Sequence, residues 1–256
     1  MASDLARALR ERLGGKLVLA DELTDRYYVY EDRLHAGRAL AEVLAEALGG
    51  RECEVMAIPC GGVPVGYAVA TELEAPMDLL VCRKVLIPWN REAGYGAVAP
   101  DGDVVINEAL RRALGFSDDE VERHVEEALR EVRRRLRLYR GGEEYVAVKE
   151  QVVVVDDGIA SGYTMLAAVR FARRLEGVKR VVVAAPTASP SSLVLLGPHA
   201  DLIVCPNVRS DAYGFAVAEA YVTWYDVPDG EVLDYLTKLG DAYVPRALGL
   251  WSGPQA

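Results

Sequence analysis

The run Val152-Val153-Val154-Val155 is followed at once by Asp156-Asp157 and then by a turn ending in Ser161-Gly162-Tyr163-Thr164. Each part has its own physical task. Four β-branched residues predict a buried parallel strand over Gln151–Val155. The acidic pair falls at the strand's carboxyl end, where open α/β sheets place their ligands. The turn carries Gly158 and Gly162, with Ile159 and Ala160 between the acids and the hydroxyls, and leads into a helix over Thr164–Leu175. Helix N-terminal N–H groups and the dipole favour an anion there, and Ser161 and Thr164 add donors to phosphate oxygens. Two carboxylates facing that same anion would repel it. They fit if they accept hydrogen bonds from sugar hydroxyls or hold a divalent cation at second hand. A phosphorylated ribose meets both requirements. Helix capping alone would need one acid, not two followed by Ser-Gly-x-Thr.

The elements that must position this segment alternate. Asp32–Leu48 reads as a helix with an apolar stripe closed by Gly49-Gly50, and Glu54–Pro59 as a short buried strand. Gly61-Gly62 and a helix over Val63–Leu73 follow, which makes a βα unit. Met77–Val85 reads as the next strand, ending on Arg83-Lys84. Pro88, Gly94, Gly96, Pro100 and Gly102 then predict a long loop over 86–102, of the kind that often serves as a lid. Asp103–Ile106 is a candidate strand. Ser117-Asp118-Asp119-Glu120 matches a capping box, and the helix behind it gathers acids at its start and arginines at its end. That layout suits a solvated helix better than an anion-binding patch. Val178–Pro186 and Leu202–Cys205 complete the strands. The expected architecture is a mostly parallel sheet with helices on both faces.

Composition narrows the function. The chain has 256 residues, 51% hydrophobic and 27% charged, which suits one large α/β domain and argues against disorder. A net charge of −10 repels nucleic acid over most of the surface but leaves room for a small anion site. Cys53, Cys60, Cys82 and Cys205 are scattered without a CxxC pair, so they read as inert thiols rather than zinc ligands. His35, His124 and His199 have no partners at metal or triad spacing. Ser161 lacks a G-x-S-x-G setting. Met1–Arg12 is charged throughout and no apolar run reaches the ~20 residues of a membrane span, so a cytoplasmic protein with no membrane partner is expected.

Val152–Thr164 resembles the phosphoribosyl pyrophosphate loop of type I phosphoribosyltransferases: an apolar strand, two acids and a turn ending in Thr/Ser-Gly-x-Thr/Ser. Ala57–Gly66, with Cys60-Gly61-Gly62 at its centre, looks like that family's pyrophosphate loop, and Arg83-Lys84 like its basic pair. The segment Glu92-Ala93-Gly94-Tyr95-Gly96-Ala97 is similar to the flexible catalytic loop of a bacterial and archaeal subgroup, whose pattern also appears in Asp32–Leu44 and Ala218–Leu236. The resemblance covers about 24–240, with a helical insertion at about 103–145 and terminal extensions 1–23 and 241–256.

The resemblance implies the type I phosphoribosyltransferase fold with a small hood, and transfer of a phosphoribosyl group from phosphoribosyl pyrophosphate (PRPP) to a nitrogen nucleophile, a base left open. Residues 158–164 would hold the 5′-phosphate and residues 60–62 with Arg83 and Lys84 the pyrophosphate. Asp156 and Asp157 would orient the ribose, Glu92 and Tyr95 would belong to a loop that closes, and a homodimer is expected. Magnesium is implied through ligand oxygens, with Asp156 and Asp157 at second hand. Two rival classes are a non-catalytic sensor of PRPP or a nucleotide, and a phosphohydrolase with Asp156 as nucleophile. The second lacks the expected D-x-D pattern.

Overall fold

The computed structural model describes residues 4–254. Its main sheet has six strands, all parallel: β1 (Leu17–Val18), β2 (Glu54–Ala57), β3 (Met77–Leu79), β7 (Gln151–Val155), β8 (Arg180–Ala184) and β10 (Leu202–Val204), in the order β1-β10-β8-β7-β2-β3. A side sheet of β4 (Arg83–Ile87), β5 (Asn90–Val98) and β6 (Val104–Ile106) is antiparallel, and β9 (Thr187–Ala188) pairs with β11 (Asn207–Val208). The helices are α1 (Asp4–Leu13), α2 (Arg33–Leu48), α3 (Gly62–Glu72), α4 (Glu108–Leu114), α5 (Asp118–Arg135), α6 (Tyr163–Arg174), α7 (Pro190–Leu196), α8 (Asp229–Leu239) and α9 (Val244–Ala247). None is long and apolar enough to cross a membrane.

The valine run explains the centre. Val152 and Val154 face a core shared with α1, α6 and α7, while Val153 and Val155 face one shared with α2, α3 and α8. A strand buried on both faces reads as a continuous apolar run, and the parallel sheet covered on both sides is the architecture the sequence predicts. The segments flanking 24–240 are packed as well: Ala6 and Leu9 of α1 are buried, and Leu17 of β1 pairs with Ile203.

Two expectations are corrected. The strand expected over Met77–Val85 is split. Leu79 ends the main-sheet part, and Arg83-Lys84 open a strand of the side sheet rather than closing the first. The loop expected over 86–102 is a β-hairpin, in which Lys84 pairs with Ala97 and Val85 with Gly96. Gly96 misled the reading because it is not a turn former here; a Cβ at that position would run into the Val105 carbonyl of β6. Close backbone approach is the usual reason for glycine inside a strand. Register shifts on either side of Leu86 further blur the alternation.

The segment behind the hairpin obeys its signals. Ser117 and Glu120 close the capping box, α5 lays Val121, Val125, Ala128 and Leu129 on the side sheet, and Leu136–Arg140 continue as one wider turn to Gly141. Arg140 ends deep in the protein, where Nε and Nη2 hold Asp78 at 2.8 and 2.7 Å.

Glu54 lies beside that pair and supplies a pH dependence. Burial pushes its carboxyl up to about 8 from 4.5, against a 2.7 Å hydrogen bond from the Val148 N–H and with Asp78 adding repulsion. A carboxyl raised in the folded state stabilises fully below its unfolded pKa and loses that contribution as pH rises through the folded one. Melting temperature should therefore fall between pH 5 and pH 9 more steeply in the wild type than in Glu54→Gln. The variant should gain about 2–4 kcal/mol at pH 9 and little at pH 5. Parallel melting curves across that range would show that Glu54 is not the titrating group.

Candidate active site

Parallel strands bring their carboxyl ends to one edge, and a cleft of about 700 Å³ opens there. Asp156 to Gly162 form its floor, Pro59 to Gly61 one wall, Arg83, Lys84 and Arg135 another, and Phe215 to Ala218 with Trp224 and Asp226 the cover.

The floor is held from below by the segment around β9 and α7. The Ile159 N–H donates to the Thr187 carbonyl at 2.9 Å, and the Ser189 N–H donates to the Ile159 carbonyl at 2.9 Å. The Ser189 and Ser192 hydroxyls donate to the carbonyls of Ala160 and Ile159 at 2.7 and 3.1 Å. Gly162 then stands at the N-cap of α6 with φ +82°, and no side chain caps the helix. Its first-turn N–H groups therefore have no side-chain cap, and Ser161 and Thr164 line the cleft beside them.

The two acids are not equivalent. Asp156 receives the Asp157 N–H on Oδ1 at 2.9 Å. Burial, and then the neighbouring Asp157, push its carboxyl well above the usual range, while Lys84 pulls the other way. Ionisation of Asp156 is therefore opposed in the free protein. Asp157 is ion-paired: Arg33 Nε lies 2.8 Å from Oδ2, with the two side chains 6% and 13% exposed. Arg33 also donates to the Tyr225 carbonyl at 2.9 Å, and its guanidinium lies 3.9 Å from the centroid of the Trp224 ring. The glycine turn meets this pair directly. A Cβ on Gly61 would fall onto Asp157 Oδ2, and one on Gly62 would crowd Asp156 Cα. Glycine here is required by the approach of two loops rather than by the turn alone.

Most of the expected site residues converge: Asp156, Asp157, Gly158 to Gly162, Thr164, Cys60, Gly61, Arg83 and Lys84 line one cleft. Gly62 lies behind the wall against Asp156, and Tyr163 opens α6 beside the floor without lining the cleft. Tyr95 is not brought in. It is fully buried in the side-sheet core, with its hydroxyl 2.8 Å from His124 Nδ1 and its ring on Phe116. Alternation along β5 turns it inward to α5. Glu92 stands on β5, and its side chain lies outside the described residues. Burial pushes Cys53 up to about 11 and Cys82 and Cys205 upward too, as suits inert thiols. Cys60 differs, lining the cleft with Sγ 3.5 Å from the Tyr139 hydroxyl.

Two arginines of the cleft were not singled out from the sequence, Arg33 and Arg135. Arg33 did fall inside Asp32–Leu44, one of the stretches similar to the family subgroup, but nothing local tied it to Asp157. Arg135 was one of a crowd of arginines.

No protein-family model matches the chain. TT1426 from Thermus thermophilus, known as a crystal structure, is 36% identical and superposes with a TM-score of 0.64 over 82% of this chain and 98% of its own. Two Mycobacterium tuberculosis proteins, "Putative phosphoribosyl transferase Rv0571c" of strain H37Rv and "Putative phosphoribosyl transferase MT0597" of strain CDC 1551, are each 35% identical over 211 residues, 82% of this chain. The chain spans about half the length of these two relatives, 47% of each. A parallel sheet with an acid pair and a hydroxyl-rich turn at one strand end is the arrangement on which these similarities bear. The chain belongs to the type I phosphoribosyltransferase family.

Proposed function

We propose that the chain binds PRPP with magnesium and displaces its pyrophosphate by a nitrogen nucleophile, a nucleobase being the acceptor class that fits a cleft covered by Trp224 and Phe215. One observation carries this reading: an acid couple, one member of it paired with Arg33, shares a single cleft with the α6 N-terminus, Arg83 and Lys84. The α6 N-terminus with Ser161 and Thr164 would take the 5′-phosphate. The Cys60-Gly61 backbone, Arg83 and Lys84 would take the pyrophosphate and the charge it gathers as the C1–oxygen bond breaks. Asp156 and Asp157 would hold the ribose hydroxyls between them.

The acids also test the fit of magnesium. Among the described residues no three acidic, histidine or cysteine side chains cluster, and Asp157 is already tied to Arg33. This donor set gives an ion no cage of its own. It suits an ion carried by pyrophosphate and ribose oxygens that meets Asp156 and Asp157 through water. When bound, magnesium supplies neutralisation of the leaving group's charge. A cytoplasmic location and a homodimer go with this reading, as the family implies.

Magnesium-dependent release of pyrophosphate from PRPP, with a panel of bases, is the direct test. Ser161→Ala/Thr164→Ala should weaken ribose 5-phosphate binding between tenfold and a thousandfold, at ~1–2 kcal/mol per lost hydrogen bond to a charged group. Unchanged affinity in the folded double variant would remove the 5′-phosphate assignment. Tight PRPP binding without release for any base would make the protein a sensor instead.

A further inference from the structure

One more cation reaches the pyrophosphate wall, and it comes from the insertion. Arg135 closes α5 and lines the cleft beside Arg83. Its Nε donates to Glu131 Oε1 at 2.7 Å, and the side chain is 12% exposed, so its direction is fixed. Glu131 also takes Arg134 at 2.8 and 2.9 Å, and Arg134 reaches Asp229 of α8 at 2.9 Å. The brace between α5 and α8 is thus made by Arg134. Arg135 makes no bond to α8 among the described residues, and its guanidinium is left facing the cleft.

Arg83 stands in the opposite condition. No ion pair or hydrogen bond holds its side chain among the described residues, and the acid in its field, Glu131, is already shared by two arginines. Burial and then Arg135 hold its guanidinium below the ordinary value. Two cations kept together in a half-enclosed cleft repel each other unless an anion lies between them. The Cys60-Gly61 turn lines the same cleft, and Cys60 lies in the field of Arg83, so an anion there would meet backbone N–H groups as well as the guanidiniums.

We propose that Arg135, from the helical insertion, is a direct ligand of the donor's pyrophosphate group, forming a clamp with Arg83. This rests on the reading that the cleft takes PRPP. The insertion is then part of the site, and the arginines that end α5 serve two tasks: Arg134 braces, Arg135 binds.

Titration calorimetry on the whole chain separates the possibilities, with ribose 5-phosphate, magnesium pyrophosphate and PRPP as probes. Arg135→Ala should weaken magnesium pyrophosphate and PRPP by roughly 10- to 100-fold, the scale of losing one charged contact. Ribose 5-phosphate should stay within about twofold, which also checks the fold. Arg135→Lys should recover part of the loss, because it restores the charge without the fork. Arg134→Ala should leave pyrophosphate affinity close to the wild type.

Unchanged pyrophosphate affinity in Arg135→Ala and in Arg135→Gln, with PRPP still bound by the wild type, would overturn the clamp and leave the functional reading standing. Equal losses for ribose 5-phosphate and pyrophosphate, or an equal loss in Arg134→Ala, would make Arg135 structural and overturn it too. A wild-type protein that binds none of the three probes would sink both.

Discussion

Asp156→Asn should make the protein more stable and nearly inactive. The carboxyl sits on the cleft floor beside Asp157, where burial and then that neighbour oppose its ionisation. Asparagine keeps the Oδ1 acceptor that the Asp157 N–H uses and removes the charge. The sign follows from linkage. A carboxyl raised above its unfolded value of 3.8 stabilises below that value and loses the contribution as pH rises through the folded pKa. The variant should match the wild type in melting temperature near pH 4 and exceed it at pH 8. Because one side of the group opens on the cleft, solvent screens part of that gain. Transfer should fall about a hundredfold or more, since an amide, unlike the carboxyl, cannot give up a proton when the ribose hydroxyls and the cation-like C1 come to lie beside it. Thermal melts at both pH values and kcat/KM with PRPP check the two halves. A variant that melts lower at pH 8, or one that keeps its activity, would contradict the role given to Asp156. Opposed effects are what a strained functional group gives; a carboxyl used only as a helix cap would be replaced by asparagine, an equally good cap, with little change in either stability or transfer.

The floor of the cleft was legible in the sequence because its parts are contiguous. Strand, acids, turn and hydroxyls occupy Gln151–Thr164, and each signal is local. The same holds for the capping box at Ser117 and for the two-faced strand β7, whose burial on both sides is written as unbroken valine. What failed to show is what depends on distant partners. Arg33 meets Asp157 across 124 positions, and no spacing rule connects them. Gly94 and Gly96 read as turn formers because glycine signals a turn and a close strand contact in the same way; only the approach of Lys84 and Val105 decides which. Tyr95 followed the error, since a residue in a loop would be free to face the ligand while one on β5 is not. Arg135 was hidden by company. A run of arginines at a helix C-terminus satisfies the dipole, and the one that turns into the cleft is chosen by Glu131 on the preceding turn.

Breaking the pair that the sequence concealed should be the costliest single change in the cleft. Arg33→Met removes a guanidinium that is 6% exposed and leaves the Asp157 carboxylate unpaired beside Asp156. The same change removes the contact with the Trp224 ring and the hydrogen bond to the Tyr225 carbonyl, which together fasten the cover of the cleft to α2. Removing one partner of a buried ion pair costs about 3–5 kcal/mol, because the other charge stays desolvated. Melting should fall by roughly 6–20 °C. A lost contact and an orphaned charge are separable by a cycle. If the orphaned carboxylate dominates, Arg33→Met/Asp157→Asn should be more stable than Arg33→Met alone, with a coupling of about 2 kcal/mol. Additive losses would instead assign the cost to the Trp224 and Tyr225 contacts. The cycle also bears on function. With Asp157 tied to Arg33 and the ionisation of Asp156 opposed, negative charge on the cleft floor is held down. Arg33→Met would restore that charge, so PRPP binding should weaken in the single variant and recover in the double, even though the double lacks a carboxylate. Recovery of this kind, measured by calorimetry beside the melts, is the result a purely structural role for Arg33 would not produce.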